Sequence, residues 1–65
     1  SEDTKTLETK FETIRESAIT KLQTILENEK ESDIKTRISE TINQLKDEKF
    51  DQMNFLRLKN LEESI

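Results

Sequence analysis

The chain has no cysteine, no histidine, no glycine and no proline. Lacking cysteine and histidine, it has no disulfides, no thiolate nucleophile, no imidazole base and none of the usual zinc ligands. Lacking glycine, it has no phosphate-cradling loop of the ordinary kind, because that backbone needs residues free to take positive φ. A basic excess is missing too: 11 Lys and Arg stand against 15 Asp and Glu, for a net charge of −4. A nucleic-acid binder would carry a basic stripe able to displace condensed counterions, whereas here the two signs alternate. No apolar run approaches the roughly 20 residues of a spanning helix, and the N-terminus lacks the basic and apolar regions of a secretory signal. These absences predict a soluble, intracellular, cytoplasmic chain with no cofactor, no nucleic-acid partner and no direct membrane insertion. Because Ser1 is not an initiator Met and Ile65 falls inside an apolar pattern, the expectation is a fragment of a longer protein.

What is present is charge and helical periodicity. The 65 residues are 40% charged and 29% hydrophobic, close to the composition of disordered segments, but the apolar positions recur too regularly for that reading. A single core of this size supplies only roughly 3–5 kcal/mol unless association adds to it.

Leu7, Phe11, Ile14, Ala18, Leu22 and Ile25 recur at steps of three and four, and Ile19 and Leu26 widen the stripe, which predicts an amphipathic helix over about 4–28. Ser1 to Thr6 are expected to fray, with Ser1, Asp3 or Thr4 available as a cap. A second stripe, Ile34, Ile38, Ile42 and Leu45, lies roughly 180° from the first if the helix continues at about 100° per residue. A chain reversal at about 29–33 lets the stripes meet, with Ser32 or Asp33 as cap and Glu31–Lys35 and Asp33–Arg37 as i,i+4 pairs. The predicted fold is all-α, an antiparallel two-helix hairpin that is coiled-coil-like or one half of a helical bundle, with helix two running over about 34–64 in a single domain.

The last quarter is the densest in apolar residues. Met53 and Leu56 extend the second stripe, so the predicted hairpin core is Leu7, Phe11, Ile14, Ala18, Leu22, Ile25, Ile34, Ile38, Ile42, Leu45, Met53 and Leu56. Phe50, Leu58, Leu61 and Ile65 fall on the far side of the same helix, where one packed neighbour cannot cover them. Together with Phe55 they form the predicted partner-binding set, the two phenylalanines being the anchors because aromatic side chains bring large apolar area at low entropic cost.

No constellation carries catalysis. Ser17, Ser32, Ser39 and Ser64 have no base beside them, and the lysines lie on charged faces. The rows Glu8, Glu12, Glu16 and Asp47, Glu48, Asp51 read as solvated acidic edges, since a row on a straight helix does not build the compact oxygen shell that calcium or magnesium needs. Arg15 and Lys21 read as snorkelling side chains that cover the edge of the apolar stripe with their stems.

Ser32 and Asp33, followed by Ile38, Glu40, Ile42, Gln44, Leu45, Asp47, Glu48, Asp51 and Gln52, resemble the second helix of the Rab-binding helical hairpin of rabenosyn-type endosomal tethers. There an acidic residue just after the turn precedes similarly spaced aliphatics and a Gln-Leu-x-Asp-Glu stretch. The likeness covers about a third of the chain, reaches helix one only through Ile19 and Leu22, and departs at Glu29, Lys30 and Glu31, where that family tends to have a glycine. It implies a small GTPase docking across the middle of the hairpin, as part of a membrane-trafficking tether. From the residues themselves the expected function is a non-enzymatic interaction or assembly module whose partner is another copy or heterologous helices.

Overall fold

A computed structural model describes residues 2–65, which form three helices: α1 over Glu2–Asn28, α2 over Ser32–Asp47 and α3 over Gln52–Ser64. The fold is all-α, with no strand among the described residues. At 1.5 Å per residue α1 is about 40 Å long and sets the long dimension of a 45 × 15 × 15 Å molecule. It is helical from Glu2, so the expected frayed start is absent; Asp3 and Thr4 lie inside the helix, and Ser1, the third capping candidate, lies outside the described residues. Threonines, poor helix formers because their hydroxyls compete for backbone groups, sit here with the hydroxyl donating to the carbonyl four residues back, as Thr9 does to Lys5 at 3.0 Å and Thr41 to Arg37 at 2.9 Å.

The first reversal is tighter than expected and is closed by Glu29. Its N–H donates to the Leu26 carbonyl at 3.2 Å, and its Oε1 accepts from the N–H groups of Lys30 and Glu31 at 3.1 and 3.2 Å. Ser32 is already helical, so the N-cap is Glu31, which makes no side-chain cap bond. The expected caps Ser32 and Asp33 fall one and two residues too late for that role. Glu31–Lys35 and Asp33–Arg37 do not pair, although Asp33 stands in the first turn, where a negative charge suits the helix dipole.

The single helix expected over about 34–64 is interrupted at residues 48–51. Glu48 turns extended, with φ −69° and ψ 126°, and Asp51 follows at φ −156° and ψ 173°. Asp51 then caps α3: its carboxylate accepts from the Asn54 N–H at 2.7 Å while its carbonyl accepts from Phe55 N–H at 2.8 Å. Asn54 Nδ2 donates back to the Lys49 carbonyl at 2.8 Å. Phe50, just before the cap, meets Phe55 four residues into the helix with ring centroids 6.4 Å apart, a hydrophobic staple that fixes the entry angle. No glycine or positive φ is needed at this turn.

α1 packs against both other helices, whereas no Cα of α2 comes within 8 Å of one in α3. The side-chain bonds give the directions. Arg15 reaches the carbonyls of Leu45, Lys46 and Glu48, so α2 runs antiparallel to α1; Phe55 stacks on Phe11 and Glu62 meets Ser17 and Lys21, so α3 runs back alongside α1 in its own direction. The wide stripe of α1 serves two neighbours. By the helical step, Ile19 and Leu26 share the flank of Arg15, and Ile14 shares the flank of Ser17 and Lys21.

The buried core is Phe11, Ala18, Leu22, Ile42, Leu45 and Leu58, with Ile14, Ile19, Leu26, Ile38, Phe50, Phe55, Leu61 and Ile65 packed around it. For α3 this reverses the expectation. Leu58, assigned to a partner, is 1% exposed, while Met53 and Leu56, assigned to the core, are 81% and 59% exposed. The cause is the break: once the chain turns at 48–51, α3 presents Phe55, Leu58, Leu61 and Ile65 to α1 and turns the face in phase with α2 to solvent. Leu7, Ile25 and Ile34 keep their places on the inner stripes but are more than a third exposed.

Candidate interaction surface

Two polar assemblies hold the helices in this arrangement, and neither was assigned in the sequence. Arg15 is 14% exposed and lies with its guanidinium carbon 4.9 Å from the Phe11 ring centroid. Its Nη1 donates to the Leu45 carbonyl at 2.5 Å and the Lys46 carbonyl at 3.0 Å; its Nη2 donates to the Glu48 carbonyl at 2.5 Å and to Glu12 Oε1 at 3.2 Å. The last carbonyls of a helix have no partner within it, and a planar cation with several donors suits them in both charge and geometry. Arg15 is therefore a C-terminal cap for α2 supplied by α1. Its Nε is buried with no hydrogen-bond partner.

The second assembly fastens the far end of α3. Lys21 Nζ donates to Glu62 Oε1 at 2.7 Å and to the Glu62 carbonyl at 3.2 Å, and the Ser17 hydroxyl donates to the same Oε1 at 2.9 Å. The bonds from Lys21 and then Ser17 hold the Glu62 carboxyl below the usual carboxylate range. Lys21 thus extends across the helix interface to a carboxylate, beyond the snorkelling role expected of it.

The acidic rows are used elsewhere. Glu12 pairs with Arg15, Asp51 caps α3, and Glu48 Oε1 pairs with Arg57 Nη2 at 3.1 Å, an exposed Arg that also donates to Asn54 Oδ1. Among the described residues no group of three or more His, Cys, Asp and Glu side chains is placed to hold a metal ion, and no helix is long and apolar enough to cross a membrane.

Three surfaces remain apolar and open. Met53 and Leu56 lie together on the outward face of α3, three residues apart. An open groove of about 520 Å³ runs between α2 and α3, with Leu45, Leu58 and Leu61 in its lining and Gln44, Asp47 and Arg57 on its polar parts. At the far end, α3 stops alongside Lys21, leaving the α1–α2 turn as a bare helix pair with Ile25 and Ile34 partly exposed.

Of the residues expected to meet a partner, Phe55, Leu58, Leu61 and Ile65 are gathered on the side of α3 that faces α1, and Phe50 joins them from the turn before it. Phe50 and Phe55 close a ring cluster with Phe11, at 5.5 Å edge-on and 6.3 Å stacked respectively. Each such pair adds about 0.5–1.5 kcal/mol beyond the area it buries. The chain matches no family model, no curated protein and no solved structure.

Proposed function

We propose that the chain is a non-enzymatic protein–protein assembly module whose working surface is the outward face of α3. The observation that carries this reading is the exposure of Met53 and Leu56, 81% and 59%, on a molecule whose own core leaves them unused. Exposed apolar side chains gathered on one face are stabilised by a partner, and helices recognise one another through residues at such three- and four-residue spacings. The lack of cysteine, histidine and a glycine-bearing phosphate loop, and the use of the Ser17, Lys21 and Glu62 cluster in docking α3, support a binding role over a catalytic one.

The test is a photoreactive phenylalanine in place of Met53, activated in cells that make the protein. A discrete protein adduct is expected, weakened by Leu56→Ser and missing when the probe replaces Thr13 on the outer face of α1. Equal adducts at both positions, or no adduct at position 53 from a chain that stays monomeric, overturn the reading. A small GTPase in the adduct would identify the partner class implied by the likeness to rabenosyn-type tethers.

A further inference from the structure

We infer that two copies of this chain form a domain-swapped dimer in which residues 48–51 become helical, α2 and α3 join into one helix, and each α3 packs on the α1 of the other copy. This rests on the assembly reading and names its partner, a second copy of the chain: association covers Met53 and Leu56 by laying them on the chain's own α1, and the contact between copies is made by the face of α3 opposite them.

The first observation is that α3 has two apolar faces and the monomer buries one. In a continuous helix Met53 and Leu56 fall in line with Ile38, Ile42 and Leu45, while Leu58, Leu61 and Ile65 point the opposite way. Leu45 lies beside Arg15 of the antiparallel α1. Continuing that register carries Met53 and Leu56 down α1 to Leu7, which is 39% exposed in the monomer. The opposite face of α3 is then free for a second α1. The joined form covers both faces.

The second observation is the connection itself. Residues 48–51 include no glycine or proline and no positive φ, so each can enter a helix without steric penalty. When they do, the carbonyls of Leu45 and Lys46, now capped by Arg15, acquire backbone N–H partners four residues on. The Arg15 bonds and the Asp51 cap are given up, and four residues of helix replace them.

The third observation is that α3 can leave alone. No Cα of α3 comes within 8 Å of one in α2; beyond the Leu58 side chain, which shares the core with Ile42 and Leu45, the Glu48–Arg57 pair beside the connection is its ion pair to the end of α2. The α1 face it vacates presents Phe11, Ser17 and Lys21, which match Phe55 and Glu62 of an identical α3. The packing and hydrogen bonds between α3 and its own α1 re-form between the two copies, the condition under which swapping is favoured by concentration.

The native chain has no cysteine, so Glu40→Cys with Glu63→Cys gives a clean pair of spin labels on exposed positions. In the joined helix these sites are about 35 Å apart at 1.5 Å per residue, whereas in the monomer they flank α1 within about 20 Å, twice the spacing of packed helices. Labelled chain diluted into unlabelled chain, unfolded and refolded together, should show the long distance in the dimer fraction and the short one in the monomer fraction. Lys49→Pro suits the monomer, where Glu48 already has the extended ψ that a following proline prefers, and it should weaken dimerisation at least about 100-fold while the monomer still melts cooperatively. Asp51→Ala removes the cap of α3 and should favour the dimer about tenfold per chain. A dimer that keeps the short intramolecular distance, or one indifferent to Lys49→Pro, overturns the swap and leaves the assembly reading standing. A strict monomer with a position-53 adduct to another protein does the same, and a strict monomer with no adduct removes both.

Discussion

Arg15 Nη2 donates to the Glu48 carbonyl at 2.5 Å across 33 residues of sequence, so that one side chain of α1 both ends α2 and holds the start of the turn into α3. Three carbonyls converge on one guanidinium, and a lysine cannot replace that geometry with a single ammonium. Arg15→Met is expected to lower stability by about 2 kcal/mol, the scale of hydrogen bonds to a charged group. Arg15→Lys should recover little of it. Urea unfolding of the two variants beside the parent checks both statements, and recovery of most of the loss by lysine would show that charge alone matters.

Leu58 and Met53 should respond in opposite ways. Leu58→Ala leaves a cavity beneath α3 and should cost about 2–5 kcal/mol, whereas Met53→Ala and Leu56→Ala should change the monomer's stability by no more than about 0.5 kcal/mol. Thermal melts at low protein concentration give the comparison. Equal losses at positions 53 and 58 would contradict the burial of α3 described above.

The entry to α3 can be tested by its cap and staple. Asp51→Ala should destabilise the monomer by about 1 kcal/mol. Phe50→Ala should do at least as much, because Phe50 touches the rings of both Phe11 and Phe55. Together the changes should interact non-additively, since both act on the same turn. A double-mutant cycle measures that coupling, and strict additivity would separate the two devices.

Glu62 gives the docking of α3 an acid limb. Its carboxyl is held below its ordinary value of 4.5 in the folded chain by Lys21 and then Ser17, so the unfolded chain takes up the proton first as pH falls. The contribution is complete above about 4.5 and disappears as pH drops through the lower folded value. Glu62→Gln should flatten this part of the stability profile by lowering stability at neutral pH while leaving the most acidic end little changed. Denaturant midpoints across the acid range supply the test, and an unaltered slope in Glu62→Gln would assign the acid limb to other carboxylates.

The helical class and the first two stripes were legible because Phe11, Ala18 and Leu22 and then Ile42 and Leu45 repeat at spacings only a helix brings to one face. The break at 48–51 was not read because no glycine or proline marks it. Its signal was local all the same: Phe50 and Asp51 followed by Asn54 and Phe55 form a cap with a staple. Periodicity misled there, since Met53 and Leu56 continue the α2 stripe in phase and so argue for a helix that the capped turn interrupts. The breadth of the α1 stripe was a further clue, for Ile19 and Leu26 exceed what a single neighbour needs. The roles of Arg15 and Glu62 depend on partners 30 or more residues away, beyond the reach of any local pattern.

The three phenylalanines pack about nine residues in from the start of α1 and the bare α1–α2 turn stands at the opposite end of the rod, so protection against solvent becomes a function of position along the long axis. Amides around Phe11 and Ala18, covered from two sides, should exchange with deuterium only through whole-molecule unfolding, while those around Ile25 and Ile34 should exchange through local fraying. A protease should therefore nick the chain first near Lys30, and the cleaved halves should stay together through the aromatic cluster.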